Sequence, residues 1–552
     1  MENNLPVGKP KRKRIVRKLE VVSNTEPIAG RLYIQEKVVL RIGEIADMMG
    51  VKVYAVGGFV RDYYLKRPRN DFDFTVVGDA IAFANEIARR FKSKAIIYER
   101  FGTAMVPLKD VQLEFVGTRK EEYEKGSRNP IVTKGTLDDD IRRRDFTINT
   151  MAVALNKDKH GQVIDMFRGK TDLDQRIIKT PLDPTITFSD DPLRMMRMSR
   201  FAAQLGFKVD HKAITAAATM ADRITIIAKE RITDELMKII ESPKPSVGFK
   251  ILREAGLLQY IFPDLDKLAG IEIVQEGDFR YGHKDVFIHS LKVLDNIAKV
   301  TSDPWLRFAA LIHDIAKNVT KKFVEGTGWT FHGHEELGAR RVQKIFRYLK
   351  LPMEHVTYVE TLVRLHQRPM SLVDDGVTDS AVRRLAFRAG EYLEDLFKLC
   401  RADITTKNPD LSVKYLRNYE KVAQKVMFVQ EKDKLREFQS PVRGDEIMEI
   451  CHMKPSKAVG LIKSSIEEAI LDGLIKNNHD EAIEFFMNNK GFWLWLIERY
   501  EDIQIEFLDD APEDQEQPNI NALRDIPDED EEFIDPDEND DNNTIDESQV
   551  QE

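Results

Sequence analysis

From residue 50 to 117, apolar side chains recur in short runs rich in β-formers: Lys52–Val56, Asp73–Val77, Ala95–Tyr98, Ala104–Leu108 and Gln112–Val116. A helix-period stretch, Ala80–Phe91, interrupts them, so an α/β domain is expected there. Further along, the spacing of apolar positions is helical almost throughout. The expected organisation is a basic disordered arm over 1–30, an α/β head over 31–155 and an all-α neck over 156–270. A His-rich helical block over 271–410, a helical tail module over 411–508 and an acidic disordered tail over 509–552 complete it. No internal repeat is visible.

Charge sharpens that division. The 552 residues carry a net charge of −9, yet residues 509–552 hold nineteen acidic side chains against Arg524, and residues 1–18 hold seven Lys or Arg against Glu2. The tail is too acidic and too poor in apolar residues to bury a core. The arm reads either as a polyanion contact or as a solubilising end. Residues 19–508 are close to neutral, so any polyanion site there is a local patch. Cys400 and Cys451 are the only cysteines and lack metal-ligand spacing, which fits a reducing compartment. No apolar leader opens the chain, and no run reaches the roughly 20 apolar residues of a membrane span. A cytoplasmic protein without membrane contact is expected, of unknown oligomeric state.

Candidate chemistry begins at "VYAVGGFVRDYYLKRPRNDFDFTVV", residues 53–77. Gly57 and Gly58 follow a strand and precede a helix, so their backbone offers N–H groups to an anion at close range. Asp71 and Asp73 alternate along the next strand, which sends both carboxylates to one face and Phe72 and Phe74 to the other. Like charges so close repel unless a divalent cation joins them. Apart, a Gly-Gly is usually a turn and an Asp-x-Asp a solvated strand face. Together they make a nucleotidyl-transfer site, with Mg2+ activating a 3′-hydroxyl and steadying a pyrophosphate.

Two further stretches extend this site. In "TLDDDIRRRDFTINTMAV", Thr136 and Asp139 form a capping-box pattern, and Arg142, Arg143 and Arg144 crowd the end of the helix it starts. The three arginines are either an exposed basic face or a bidentate clamp on phosphates. In "SDDPLRMMRMSRFAAQLGF", Pro192 suits the first helical position, which makes Asp191 the N-cap. Met195, Met198, Ala202 and Leu205 form a buried stripe, and Gly206 ends the helix. A carboxylate beside a guanidinium matches the amino donor and ring-nitrogen acceptor that cytosine and adenine share and that uracil and guanine reverse. The pair Asp191 and Arg194 therefore reads as a selector of CTP and ATP. An intrahelical ion pair explains it equally without a ligand.

These motifs resemble those of class II tRNA nucleotidyltransferases, the CCA-adding enzymes, and of the related bacterial poly(A) polymerases. "GGFVRD" with "DFDF", "RRDFTINTMA", "DMFRGKTDL" and "DDPLRMMRMSRFAAQLGF" occur in the family order between about 50 and 260. The resemblance implies a polymerase-β-like mixed sheet in the head. It further implies that Gly58 and Arg61 bind nucleotide, that Asp71 and Asp73 hold Mg2+, and that Arg144 or Arg143 contacts phosphate. Asp191 and Arg194 would pair with the base, Arg197 and Arg200 would lie along the same helix, and Glu114 on "QLEFV" is a weaker third acid. Asp190 stands where the family usually has Glu, and Lys66 where Gly is common.

Later stretches, "FIHSLKVL", "ALIHDIAK", "FHGHEELGA", "RLHQRP" and "CRADITTKN", resemble the HD domain, a helical metal-dependent phosphohydrolase fold. By that resemblance His289, His313, Asp314 and Asp403 are core ligands of a divalent transition metal or Mg2+, with His334 and His366 as additional histidines. The implied activity is untemplated addition of CCA to tRNA from CTP and ATP, with an HD phosphohydrolase as a possible second activity. Poly(A) polymerase and a split CC-adding or A-adding enzyme remain open. So does a reading of another class, an HD phosphohydrolase whose head only binds RNA.

Overall fold

The computed structural model describes residues 30–500 apart from 69, 100–101, 123–130, 271–272, 277–278, 283–284, 326, 374–377, 407 and 434–439. The basic arm and the acidic tail thus lie outside the described residues, save Gly30. The chain divides into two compact units. One comprises the described residues to Gln367 together with Glu391–Arg417, and the other Arg368–Gly390 with the described residues from Asn418.

The first unit opens with α1 (Lys37–Met49), β1 (Lys52–Val56), α2 (Gly57–Tyr64), β2 (Asp71–Val77), α3 (Ala80–Arg90), β3 (Ile96–Tyr98), β4 (Thr103–Pro107) and β5 (Gln112–Gly117). A hairpin of β6 (Arg119–Glu122) and β7 (Ile131–Lys134), then α4 (Leu137–Arg142), β8 (Ala152–Ala154) and β9 (Val163–Ile164) follow. Seven strands form one mixed sheet in the order β3-β4-β5-β2-β1-β8-β9, in which β2 and β5 are parallel and β1 pairs antiparallel with both β2 and β8. The alternation expected of β2 is present: Phe72 and Phe74 are buried, Phe74 stacks on Phe115 at 5.1 Å, and Phe72 packs on Phe59 at 4.6 Å. Two strands, β8 and β9, extend the sheet past the strands read from the pattern. All three residues of β8 are buried, so it shows no alternation by which to find it. Lys66 has φ 52°, the left-handed backbone for which glycine is the unstrained choice.

The neck contains α5 (Gly169–Gln175), the short strands β10 (Ile177–Ile178) and β11 (Lys208–Val209), α6 (Pro184–Asp190), α7 (Leu193–Leu205), α8 (His211–Thr219), α9 (Lys229–Ile240) and α10 (Pro245–Glu254). Met195, Met198 and Ala202 are fully buried as their stripe requires, whereas Leu205, expected with them, is only half-buried at the helix end, and Gly206 ends α7 with φ 70°. One boundary differs from the sequence reading. Pro192 is the cap rather than the first helical residue, because α6 runs to Asp190 and leaves Asp191 as the one extended residue (φ −144°, ψ 103°) between two helices.

Short helices α11 (Leu258–Ile261) and α12 (Pro263–Asp266) lead to α13 (Val286–Ile297), α14 (Pro304–Ile312), α15 (Lys317–Thr320), α16 (His334–Leu349) and α17 (Val356–Leu365). The second unit includes α18 (Arg368–Ser371) and α19 (Asp379–Ala389); α20 (Leu393–Asp403) returns to the first. The last helices are α21 (Pro409–Asp433), α22 (Gly444–Cys451), α23 (Lys457–Leu471) and α24 (His479–Tyr500). Val442, Ile447, Cys451, Ile462, Ile466 and Phe486 form the core of the second unit. Among the described residues, no helix is long and apolar enough to cross a membrane.

Candidate active site and metal centre

The β1–α2 turn and the ends of β2 and β5 build the first site. Gly57 has φ +66°, and a Cβ there would lie 2.9 Å from Arg144 Nη1 and 3.3 Å from Asp73 Oδ2. Only glycine brings the backbone this close to both groups. A Cβ on Gly58 would meet Arg61 Nη2 at 3.5 Å and Asp73 Oδ2 at 3.7 Å. The turn, an acid and two cations therefore converge.

Parallel pairing sets Asp71 beside Gln112 and Asp73 beside Glu114. Glu114, the weaker candidate in sequence, is thus the direct neighbour of Asp73 across the sheet. Burial chiefly, then the Glu114 and Asp71 charges against the opposing pull of Arg144, push the Asp73 carboxyl up to about 6. Glu114 is raised as well, by burial and by Asp71. Asp73 and Glu114, both raised, form with Asp71 a donor set suited to a hard divalent cation.

Arg61 and Arg144 lie close enough to act on Asp73, but each predicted nucleotide-binding arginine already holds a counter-charge. Asp140, fully buried, accepts from Arg143 and, at 2.9 Å, from Arg144, while Thr75 donates to it at 3.2 Å. Burial alone would raise Asp140; the two guanidiniums more than reverse this. The capping box of Thr136 and Asp139 starts the helix that delivers all three residues.

Arg61 donates to Asn149 at 2.8 Å and to Asp62, Arg197 to Asp145 at 2.8 Å, and Arg200 approaches Glu235 at 3.1 Å. All three guanidiniums sit over the Phe201 ring, at 5.0, 5.3 and 4.5 Å. Burial and the neighbouring Arg197 lower Arg200 to about 10. Side-chain exposure separates their roles: Arg197 keeps 32% and Arg143 and Arg144 keep 19%, whereas Arg61 and Arg200 keep 10%. Asp140, Asp145, Asn149 and Glu235 were missed in sequence. Asp140 alone had a local signal, its i+3 and i+4 spacing to Arg143 and Arg144.

Asp191 and Arg194 do not pair with each other. Arg194 donates to the Thr187 carbonyl at 3.1 Å and the Arg143 carbonyl at 2.6 Å, and lies 3.8 Å from Asp190. Asp191 accepts from the Leu193 N–H at 3.1 Å and from Arg231 at 3.3 Å. Asp191 thus precedes the cap Pro192 instead of being the cap foreseen in sequence, though its side chain still takes the first N–H of α7; the ion pair that could have explained both residues without a ligand is absent.

The candidate metal centre lies among α13, α14, α16, α17 and α20. His289 Nε2 is 2.9 Å from Asp403 and 3.3 Å from His313 Nε2, and Asp314 Oδ2 is 3.3 Å from His313. Asp314 Oδ1 faces His334 at 3.3 Å and His366 at 3.6 Å. The set His289, His313 and Asp403 and the set His313, Asp314 and His366 each bring ligand atoms within 4.8 Å of one another.

Tautomers follow from the outer partners. The Nδ1 atoms of His313, His334 and His366 meet the carbonyls of Ala310, Phe331 and Val363 at 2.9, 2.6 and 2.7 Å. A carbonyl only accepts, so each Nδ1 carries a proton and Nε2 is left as the atom that can face a ligand; that of His334 meets Gln367 Nε2 at 3.0 Å. His289 Nδ1 instead meets the Thr405 hydroxyl at 2.9 Å. Asp314 Oδ1 and His366 Nε2 are buried without a hydrogen-bond partner. Burial lowers His313, but Asp314 and Asp403 overcome this and raise it to about 10, so without a cation its Nε2 is protonated too, and a metal binding there would displace that proton. Imidazole Nε2 atoms and carboxylates gathered this closely fit a cation.

Comparison with known proteins places the two regions in known domain families. Residues 53–179 match the family model of the poly A polymerase head domain, 206–268 that of the probable RNA and SrmB-binding site of polymerase A, and 286–407 that of the HD domain. The multifunctional CCA protein of Methylococcus capsulatus is 31% identical over 367 residues, covering 64% of this chain and 81% of that protein. That of Nitrosococcus oceani is 32% identical over 364 residues, covering 64% and 84%. In fold, the chain is similar to the Bacillus stearothermophilus CCA-adding enzyme in complex with CTP (TM-score 0.56, 23% identity, 85% of this chain and 99% of that one). It is also similar to a tRNA nucleotidyltransferase complexed with a primer tRNA and an incoming ATP analogue (TM-score 0.51, 22% identity, 69% and 98%).

Proposed function

This chain belongs to the family of multifunctional CCA proteins, and on that premise we infer how its residues perform the family's reaction. The enzyme is a nucleotidyltransferase that adds CCA to tRNA 3′ ends from CTP and ATP with a divalent metal. The observation that carries the assignment of the site is the convergence of the Gly57–Gly58 turn, Asp73 and Arg144, with Glu114 aligned beside Asp73.

Asp71 and Asp73, with Glu114 beside them, would hold Mg2+, which supplies Lewis acidity and an activated 3′-hydroxyl. The N–H groups of the Gly58 turn and the partly exposed guanidiniums of Arg143, Arg144 and Arg197 receive the triphosphate. Arg61 and Arg200, more deeply held, keep Arg197 and the turn in place. Asp191 accepts the amino proton of cytosine or adenine, and Arg194 donates to the adjacent ring nitrogen. UTP or GTP would leave both groups facing like partners, at a cost of about 1–3 kcal/mol for each unmet group. Asp191→Ala should therefore raise the UTP-to-CTP ratio of kcat/KM by about tenfold while slowing CTP addition less. Steady-state incorporation on a tRNA lacking its terminal CCA measures this, and an unchanged ratio would move the base reader elsewhere.

At the second site, His289, His313, Asp314 and Asp403, supported by His334 and His366, would hold a transition metal or Mg2+ and hydrolyse terminal or cyclic phosphates. The clustered ligand atoms and the buried Asp314 Oδ1 and His366 Nε2 atoms without a hydrogen bond support this reading. The free thiols of Cys400 and Cys451 suit a cytoplasmic location.

A further inference from the structure

We propose that Arg231, on α9, is a positioning residue that sets the accuracy of base selection by fixing the orientation of the Asp191 carboxylate. The proposal rests on the reading of Asp191 as the acceptor of the base amino group.

A carboxylate that discriminates by geometry has to be held from rotating. Asp191 lies in the single extended step between α6 and α7, so no helix fixes its side chain. Its two oxygens are held from different elements. Oδ1 takes the Leu193 N–H at 3.1 Å, and Oδ2 takes Arg231 Nη2 at 3.3 Å. With one lone pair of each oxygen engaged, the carboxylate plane is set and the remaining lone pairs keep fixed directions. Without Arg231 only the cap contact remains, and the group can turn to accept from differently placed donors.

Arg231 is itself placed with precision by α9. Ile232, Leu236, Ile239 and Ile240 are buried along that helix, as is Glu235. Glu235 follows Arg231 by one turn on the same face. It approaches Arg197 at 3.7 Å and Arg200 at 3.1 Å on α7. The helix thus offers α7 and its entry a cation at one turn and an anion at the next, matched to Asp191 and to the two arginines. A slip by one turn would set like charges together, so the pairing also fixes the register of α9 on α7. The guanidinium of Arg231 retains 48% exposure, so its influence is moderate and sensitive to salt.

Three variants, Arg231→Ala, Arg231→Lys and Asp191→Ala, are compared with wild type for kcat/KM of UTP and CTP on the same truncated tRNA, at low and high salt. Arg231→Ala should raise the UTP-to-CTP ratio by about three- to fivefold, less than Asp191→Ala, and Arg231→Lys should restore most of the accuracy. The wild-type ratio should drift toward that of Arg231→Ala as salt rises, while the variant's own ratio stays flat. This salt readout holds even if the alanine variant folds poorly. A ratio that is unchanged in Arg231→Ala and insensitive to salt in wild type, while Asp191→Ala relaxes selection, would overturn the role of Arg231. If Asp191→Ala leaves the ratio unchanged too, the reading of Asp191 itself fails.

Discussion

Asp71→Ala and Asp73→Asn should each reduce incorporation of both CTP and ATP by about a thousandfold or more, since each removes a carboxylate from the site where charge develops during transfer. Binding of tRNA should change by less than about twofold, because phosphate contacts from Lys and Arg dominate it. Rapid-quench incorporation and filter binding separate the two effects. Near-normal turnover in either variant would contradict the metal assignment. Asp73→Asn carries a second signature. A carboxyl raised to about 6 binds its proton more tightly folded than unfolded, so the stability of wild type falls as pH climbs from about 4 through 6. The asparagine variant has no such loss. In chelator-treated protein it should melt near wild type at pH 4.5 and above it at pH 8, by about 1–3 kcal/mol after allowance for partial solvation.

The second large effect belongs to the HD centre. His313→Ala combined with Asp314→Ala removes two fully buried residues of the proposed ligand set and should abolish both tight metal binding and any metal-dependent phosphohydrolysis. Nucleotide addition should persist, since Asp71, Asp73 and the residues that surround them come from the head and neck, and His313 and Asp314 supply no group to that site. Metal content, hydrolysis of a 2′,3′-cyclic nucleotide with Mg2+, Mn2+ or Ni2+, and CCA addition are measured on the same preparation. No hydrolysis by wild type with any metal would leave the HD fold as a scaffold. Loss of CCA addition in a variant folded by circular dichroism would mean that the two centres are coupled.

Much of the first site was legible because its chemistry is local. The Gly-Gly turn, the alternate aspartates and the Thr136–Asp139 box occupy short windows in which strand and helix periods dictate direction. Glu114 was harder, since its place beside Asp73 depends on parallel pairing across roughly 40 residues of sequence. Glu235 and Asp145 were out of reach: the pairs Arg200–Glu235 and Arg197–Asp145 join residues 35 and 52 positions apart, and a buried carboxylate has no pattern of its own. The arginines looked ligand-facing in sequence, and only the fold separates the more exposed Arg143, Arg144 and Arg197 from the more deeply held Arg61 and Arg200. The HD ligands come from five separate helices or helix ends, so a resemblance, not a period, brought them together.

The central claim, untemplated building of CCA by one head site, is tested most directly with tRNAs lacking one, two or all three terminal nucleotides, each incubated with a single nucleotide. The account predicts CTP alone extending the tRNA that lacks all three by two residues, and the tRNA that lacks two by one. ATP alone should extend only the tRNA that lacks one, and each reaction should stop there. Long A tails, or addition of only C or only A, would contradict it.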